Sequence, residues 1–121
     1  MTPDALRAVL DALPGAIGEP WTPPRGTSPL SILYKVGGKM FAVLTLRGYL
    51  YVVLKAPPFV CDMMREQYTG VGKRTHLDPR QWIAIDLESD VPADEIESLA
   101  RGSYELVRES LSKRQRTALE A

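Results

Sequence analysis

His76 is the only histidine in the chain and Cys61 the only cysteine. An imidazole titrates near neutrality and can act as general acid or base, and a thiol is a nucleophile once deprotonated, so these two make the first catalytic pair to consider. The pair works only if the fold brings the two side chains together. Cys61 falls on an apolar helical stripe with Met64 and Tyr68, where a small buried thiol is the usual case. His76 stands in the loop before Trp82, where hydrogen bonding within that loop is the commoner role. A single cysteine with a single histidine cannot build a structural zinc site or an internal disulfide. No glycine-rich phosphate loop, paired-histidine metal motif or nucleophile elbow is present, and Gly37-Gly38 reads as a turn. The expectation is a protein that is not an enzyme, with no catalytic residues, no metal and no cofactor.

The cations offer a different chemistry. Between residues 35 and 80, Lys35, Lys39, Arg47, Lys55, Arg65, Lys73, Arg74 and Arg80 stand against Asp62, Glu66 and Asp78, a formal charge of +5. Between 82 and 111 the balance reverses to −6, with eight carboxylates against Arg101 and Arg108. Lys73, Arg74 and Arg80 flank His76, and Lys35, Lys39 and Lys55 add possible phosphate contacts from neighbouring strands. Trp82, Tyr49 and Tyr51 supply rings that stack on unpaired bases where exposed. The candidate nucleic-acid-binding set is therefore Lys35, Lys39, Lys55, Lys73, Arg74, His76, Arg80 and Trp82. Two observations weigh against it. The formal net charge is zero, whereas phosphate neutralisation supplies most non-specific affinity for nucleic acid. An asymmetry of this kind more often reflects two solvated surfaces that attract each other within one fold. The basic run Lys113, Arg114 and Arg116 reads as a solvated helix face.

The elements that must position these residues follow from periodicity and breakers. Thr2 and Pro3 open a helix in which Leu6, Val9, Leu10 and Leu13 share one face, closed by Pro14-Gly15. Residues 16–30 carry Pro20, Pro23, Pro24 and Pro29 with Gly18 and Gly26, and read as an ordered loop around Trp21. SILYKV, KMFAVLTL and YLYVVLK are strand-like, and Gly37-Gly38 and Arg47-Gly48 join them as a three-stranded meander. In the third strand Leu50, Val52 and Leu54 face one way and Tyr49, Tyr51, Val53 and Lys55 the other. The middle strand is apolar on both faces, so its second face calls for a cover: a loop, a helix or another subunit. Pro57-Pro58 starts a helix to about Tyr68, and WIAIDL forms a further strand with Ile83, Ile85 and Leu87 inward. Pro92 opens a long helix whose inner face reads Ile96, Leu99, Ser103, Leu106 and Leu111. Ser112 with Gln115 forms a capping box for a short, charged terminal helix.

At 121 residues, 45% apolar and 25% charged, the chain has the size and composition of one globular domain over 1–121. No stretch approaches the roughly 20 apolar residues of a membrane span, and the first residues do not read as a secretory signal, so the expected compartment is the cytoplasm. The predicted fold is α+β, two layers, an antiparallel meander packed with helices in the order α-β-β-β-α-β-α-α.

Leu13-Pro14-Gly15-Ala16, Lys39, Phe41-Ala42, and Leu54-Lys55 with Pro58 form one set of motifs in the first half of the chain. His76-Leu77, Trp82, Leu87, Pro92, Glu95-Ile96, Leu99, Ser103-Tyr104, Leu106-Val107 and Leu111 form a second set in the other half. Together these residues resemble the pattern of the MmcQ/YjbR family along most of the chain. The resemblance implies a fold of the secretion-chaperone-like group, described as CyaY-like or double-wing, and a DNA-binding role. Three positions depart from the pattern: Lys73 where a proline is usual, Pro79 where a basic residue is usual, and Gln81 where a second histidine often precedes the tryptophan. The expected partners are DNA, bound weakly and in a salt-sensitive way, or, as the alternative, a second copy or another protein on the apolar face of the meander. No membrane partner is expected.

Overall fold

Ala5 donates its N–H to the Thr2 hydroxyl, which caps the first helix, α1 (Pro3–Asp11), as the Thr-Pro pair predicts. The computed structural model describes residues 1–72 and 77–120. Strands β1 (Ala16–Trp21), β2 (Ser31–Val36), β3 (Lys39–Thr45) and β4 (Tyr51–Lys55) follow. Helix α2 (Pro58–Gln67), strands β5 (Val71–Gly72) and β6 (Trp82–Asp86), and helices α3 (Ala93–Glu109) and α4 (Lys113–Glu120) complete the chain. The six strands form one antiparallel sheet in the order β1-β2-β3-β4-β6-β5. The predicted α+β order is kept, and two strands are added to it, β1 and β5.

The addition of β1 corrects the reading of residues 16–30 as loop. Ala16 to Trp21 pair in unbroken register with Val36 to Ser31. Pro20 is tolerated because β1 is an edge strand, where a missing N–H interrupts no second ladder. Gly18 leaves room for the packing beneath it: a Cβ there would stand 3.0 Å from Ile32 and 3.1 Å from the Tyr34 ring. The second meander turn is also longer than two residues, since β3 ends at Thr45 and β4 begins at Tyr51. Thr45 Oγ1 holds this connection, accepting from the Tyr51 N–H at 2.7 Å and lying 3.0 Å from the Tyr49 carbonyl.

One face of the sheet carries the core. Ile32, Leu44, Val52, Ile85 and Val71 form one row across five strands, and Tyr34, Ala42, Leu54 and Ile83 a second, all buried. Leu6 and Leu10 of α1, Cys61 and Met64 of α2, and Ile96, Ala100, Tyr104 and Val107 of α3 pack on these rows in a single cluster. Full burial of each Leu, Ile, Val or Met among them contributes about 1.5–3 kcal/mol. The register between β2 and β3 shifts after Tyr34, so that Tyr34 faces Ala42 while Lys35 faces Met40, and Phe41 becomes the extra residue of a bulge. The bulge turns Phe41 inward, 6.2 Å from the Tyr34 ring and edge-on to Tyr104 at 5.5 Å.

Helix α3 is rotated from the predicted stripe. Its buried residues are Ile96, Ala100, Ser103, Tyr104 and Val107, and Leu99 and Leu106 are only half-buried at its flank. The Ser112–Gln115 box forms as predicted: the Ser112 N–H donates to Gln115 Oε1 at 3.0 Å, and the Gln115 N–H to Ser112 Oγ at 3.2 Å.

Candidate binding surface

Side chains alternate across a strand, so the residues between the core rows point to the opposite face of the sheet. Glu19, Leu33, Val43, Val53, Ala84 and Gly72 form its central row. Toward one end lie Ile17, Lys35 and Met40, followed by Lys55 and Trp82, which pair with each other. Toward the other end stand Trp21 and Ser31, then Thr45, then Tyr51 with its partner Asp86. None of these belongs to the cluster on which the helices pack. Val53 and Ala84 are buried at the centre, while Ile17 (63% exposed) and Trp21 (52% exposed) stand open at the β1 edge. The second apolar face of the middle strand is therefore present, and no described helix covers it.

The structure brings together three of the candidate site residues. Lys55 and Trp82 are cross-strand partners, with the Lys55 ammonium 5.9 Å from the indole centroid, within the range of a cation–π contact. Lys35 is two strands away, about 10 Å at the usual strand spacing, and its Nζ is 3.1 Å from a carboxylate oxygen of Glu19. Lys39 points to the other side of the sheet: its Nζ reaches the Ser110 carbonyl and hydroxyl, each at 3.4 Å, at the end of α3. The same bulge that turns Phe41 inward separates Lys39 from Lys35. Arg80 lies in the turn before β6, and its guanidinium is held by Asp78 at 3.2 Å. The pair lowers the Asp78 carboxyl below its usual range and raises Arg80 above its own, in both cases first through their hydrogen bond. An exposed pair of this kind is worth little and opens readily to a competing anion. Lys73, Arg74 and His76 lie outside the described residues.

The face is not basic where it is described. Lys35 and Lys55 are balanced by Glu19 and Asp86, and the Asp86 carboxylate accepts from the Tyr49 hydroxyl. A cleft of about 360 Å³ at the Asp86 end is bordered by Gly48, Tyr49, Leu50, Asp86 and Glu88, so both charged side chains that line it are acidic. The Tyr49 and Tyr51 rings lie 5.9 Å apart, tilted, so part of their surface is spent on each other.

Cys61 is fully buried, and its thiol donates to the Ala56 carbonyl at 3.5 Å. Burial raises its pKa, against an opposing pull from Arg65, so the thiolate needed for attack is disfavoured. Among the described residues no cluster of three or more His, Cys, Asp or Glu could hold a metal ion. Trp21 is the surface residue that sequence reasoning placed in a loop. Its alternation with Ile17 and Glu19 carried the strand signal, and the prolines around it obscured that signal.

Comparison with known proteins agrees with this architecture. A solved structure of the Deinococcus radiodurans protein DR2400, described as carrying the domain DUF419, superposes with a TM-score of 0.82 at 29% identity, covering 98% of this chain and 88% of that one. A Pseudomonas syringae protein of known structure shares the fold, with a TM-score of 0.71 at 19% identity over 88% of this chain and 98% of its own. The uncharacterized protein YbdF of Escherichia coli O157:H7 is 26% identical over 83 residues, 68% of each chain. The YjbR family model matches residues 11–106, which include every strand and all but the last turn of α3, and the chain belongs to the YjbR family.

Proposed function

We propose that this protein is a non-catalytic binding domain whose working surface is the open face of the six-stranded sheet, and that its ligand there is protein, in the first instance a second copy of the chain. The observation that carries this reading is the apolar central row Leu33, Val43, Val53 and Ala84, on which no described helix packs, continued at the β1 edge by the exposed Ile17 and Trp21. An apolar sheet face of this extent is normally packed against another layer. Its charges come as equal numbers of each sign, Lys35 and Lys55 against Glu19 and Asp86, a distribution that a two-fold related copy can complement. Burial of Cys61 away from solvent supports the non-catalytic part. A lone buried thiol also suits the reducing cytoplasm, where we place the protein.

DNA binding is the second reading, favoured by one specific observation: Lys35, Lys55 and Trp82 share one end of the face, and Lys73, Arg74 and Arg80 precede Trp82 in the sequence. A lysine beside an indole suits an unpaired base with its phosphate. Lys39 does not join this group.

Sedimentation over a concentration series, at low and high salt, tests the first reading. Self-association that persists in high salt and is lost in Val43→Glu is the expected result, because an apolar interface is insensitive to screening. A strict monomer at high concentration overturns it. Titration with short single- and double-stranded oligonucleotides over a salt series tests the second, which requires affinity that falls steeply with salt and drops in Lys55→Ala and Trp82→Ala.

A further inference from the structure

On the helical side of the molecule, an apolar groove lies between the start of α2 and the middle of α3. Its walls are Pro57 and Val60 at the start of α2, and Leu99, Gly102 and Leu106 on α3, enclosing about 310 Å³. Leu99 and Leu106 are the residues displaced from the core by the rotation of α3, half-buried where the sequence pattern placed them inside. The apolar surface continues outward along α2. Phe59 is 71% exposed and Met63 44% exposed, one helical turn apart and next to Val60. A phenylalanine and a methionine left open beside a groove with leucine walls make a contiguous apolar site, whereas scattered surface hydrophobics are ordinary.

We propose that this groove is a docking site for a basic amphipathic helix of a partner protein. Three observations define the occupant. The lining comes from two helices and the residues that lead into one of them, whose backbone groups are largely engaged within those helices, so no free sheet edge is offered to an extended peptide. A partner segment must then satisfy its own backbone, which a helix does. Gly102 sits mid-groove with nothing within 4 Å of where a Cβ would be, so a partner side chain or backbone can approach closely. The stripe of α3 that carries Leu99, Gly102 and Leu106 continues at helical spacing to Glu95 at one end and Glu109 at the other, with Glu105 beside it. The groove is thus about 10 Å of apolar wall, two helical turns, between carboxylates. Lys55 is the cation that borders it, and its ammonium is directed to the Trp82 ring on the opposite side of the sheet. Carboxylates on the rim favour cations on the occupant and disfavour an anionic membrane surface or a nucleic acid at this place.

The test uses the whole protein and two synthetic 18-residue helical peptides with the same leucine spacing (i, i+4, i+7, i+11), one flanked by lysines and the other by glutamates. Binding is followed by fluorescence anisotropy and mapped by amide chemical-shift changes. The lysine-flanked peptide is expected to bind at least about 10-fold more tightly than the glutamate-flanked one, with shifts concentrated at Val60, Leu99, Gly102 and Leu106. Gly102→Leu fills the groove and replaces a glycine by a better helix former, so it keeps the fold while reducing affinity by at least about 10-fold. No binding, equal affinity for the two peptides, shifts centred on the open sheet face, or unchanged affinity in Gly102→Leu each overturn the proposal. So does a change in the sedimentation of the protein alone in Gly102→Leu, which would assign the groove to a second copy.

Discussion

Ser103 of α3 donates its hydroxyl proton to the carbonyl of Phe41, the extra residue of the β3 bulge, at 2.5 Å. The same oxygen accepts the N–H of Lys55 on β4 at 2.8 Å, so one fully buried hydroxyl ties the long helix to two strands. Removing it takes this partner from a buried carbonyl and a part-buried N–H, an unsatisfied group of this kind costing about 1–3 kcal/mol when fully buried. Ser103→Ala is expected to destabilise the protein by roughly 2–4 kcal/mol in urea unfolding. A loss below about 0.5 kcal/mol would show that the two backbone groups find other partners.

Gly37 and Gly38 form the two-residue turn between β2 and β3, with φ of +58° and +80°, both in the left-handed region a tight hairpin requires. They differ in their surroundings. A Cβ on Gly37 would stand 2.6 Å from Leu111 Cδ1, whereas one on Gly38 meets nothing within 4 Å. Gly38→Ala is expected to cost about 1 kcal/mol, from backbone strain alone. Gly37→Ala is expected to cost more, because Leu111 must also shift. Equal losses in thermal unfolding would show that Leu111 yields freely.

The Tyr34 phenol is buried and donates to Asp11 at 2.8 Å. Burial, then the hydrogen bond to Asp11 and its charge, raises its pKa well above the ordinary value of 10.0. Below the unfolded-state pKa both states keep the proton and the contribution to stability is fully present. As pH rises past it, the unfolded chain releases a proton that the folded one holds, and stability falls. Burial of Tyr104 and Cys61 acts in the same direction. Urea midpoints measured from about pH 8 to 11 should therefore fall more steeply in the wild type than in Tyr34→Phe. Parallel curves would remove Tyr34 from the account.

The Asp90 carboxylate accepts from the Thr69 N–H at 2.9 Å and the Gly70 N–H at 2.8 Å, which pins the end of α2 to the loop before α3. These bonds, the Thr69 one first, hold its pKa below the usual carboxylate value. A depressed carboxylate stabilises the fold above its unfolded pKa, and that stabilisation is lost as pH falls through the folded value. Asp90→Asn is expected to be less stable than the wild type near pH 7, with the gap closing below about pH 4. A gap that persists unchanged into acid would assign the effect of Asp90 to packing.

Much of the strand layout was legible because alternation survives wherever turn residues bound it. SILYKV and WIAID appear as β2 and β6, and the opposed faces of Val52 and Val53 are as the period of two requires. Local signals for the ends of helices also held, since Thr2, Pro3 and the Ser112–Gln115 pair act on backbone groups within four residues. The candidate site was legible only in part. Lys55 and Trp82 meet, but their contact depends on the register between β4 and β6, which no local pattern near either residue sets.

By itself, then, the sequence determined the order of most elements, the family and the presence of a second apolar face on the sheet, because these depend on spacing within short segments. Only the tertiary structure decided that Pro20 could sit in a strand, that Lys39 and Lys35 part company across the Phe41 bulge, and that Leu99 and Leu106 line a groove instead of the core. Those outcomes turn on which neighbour a strand edge or helix flank meets, and such neighbours are distant in the chain.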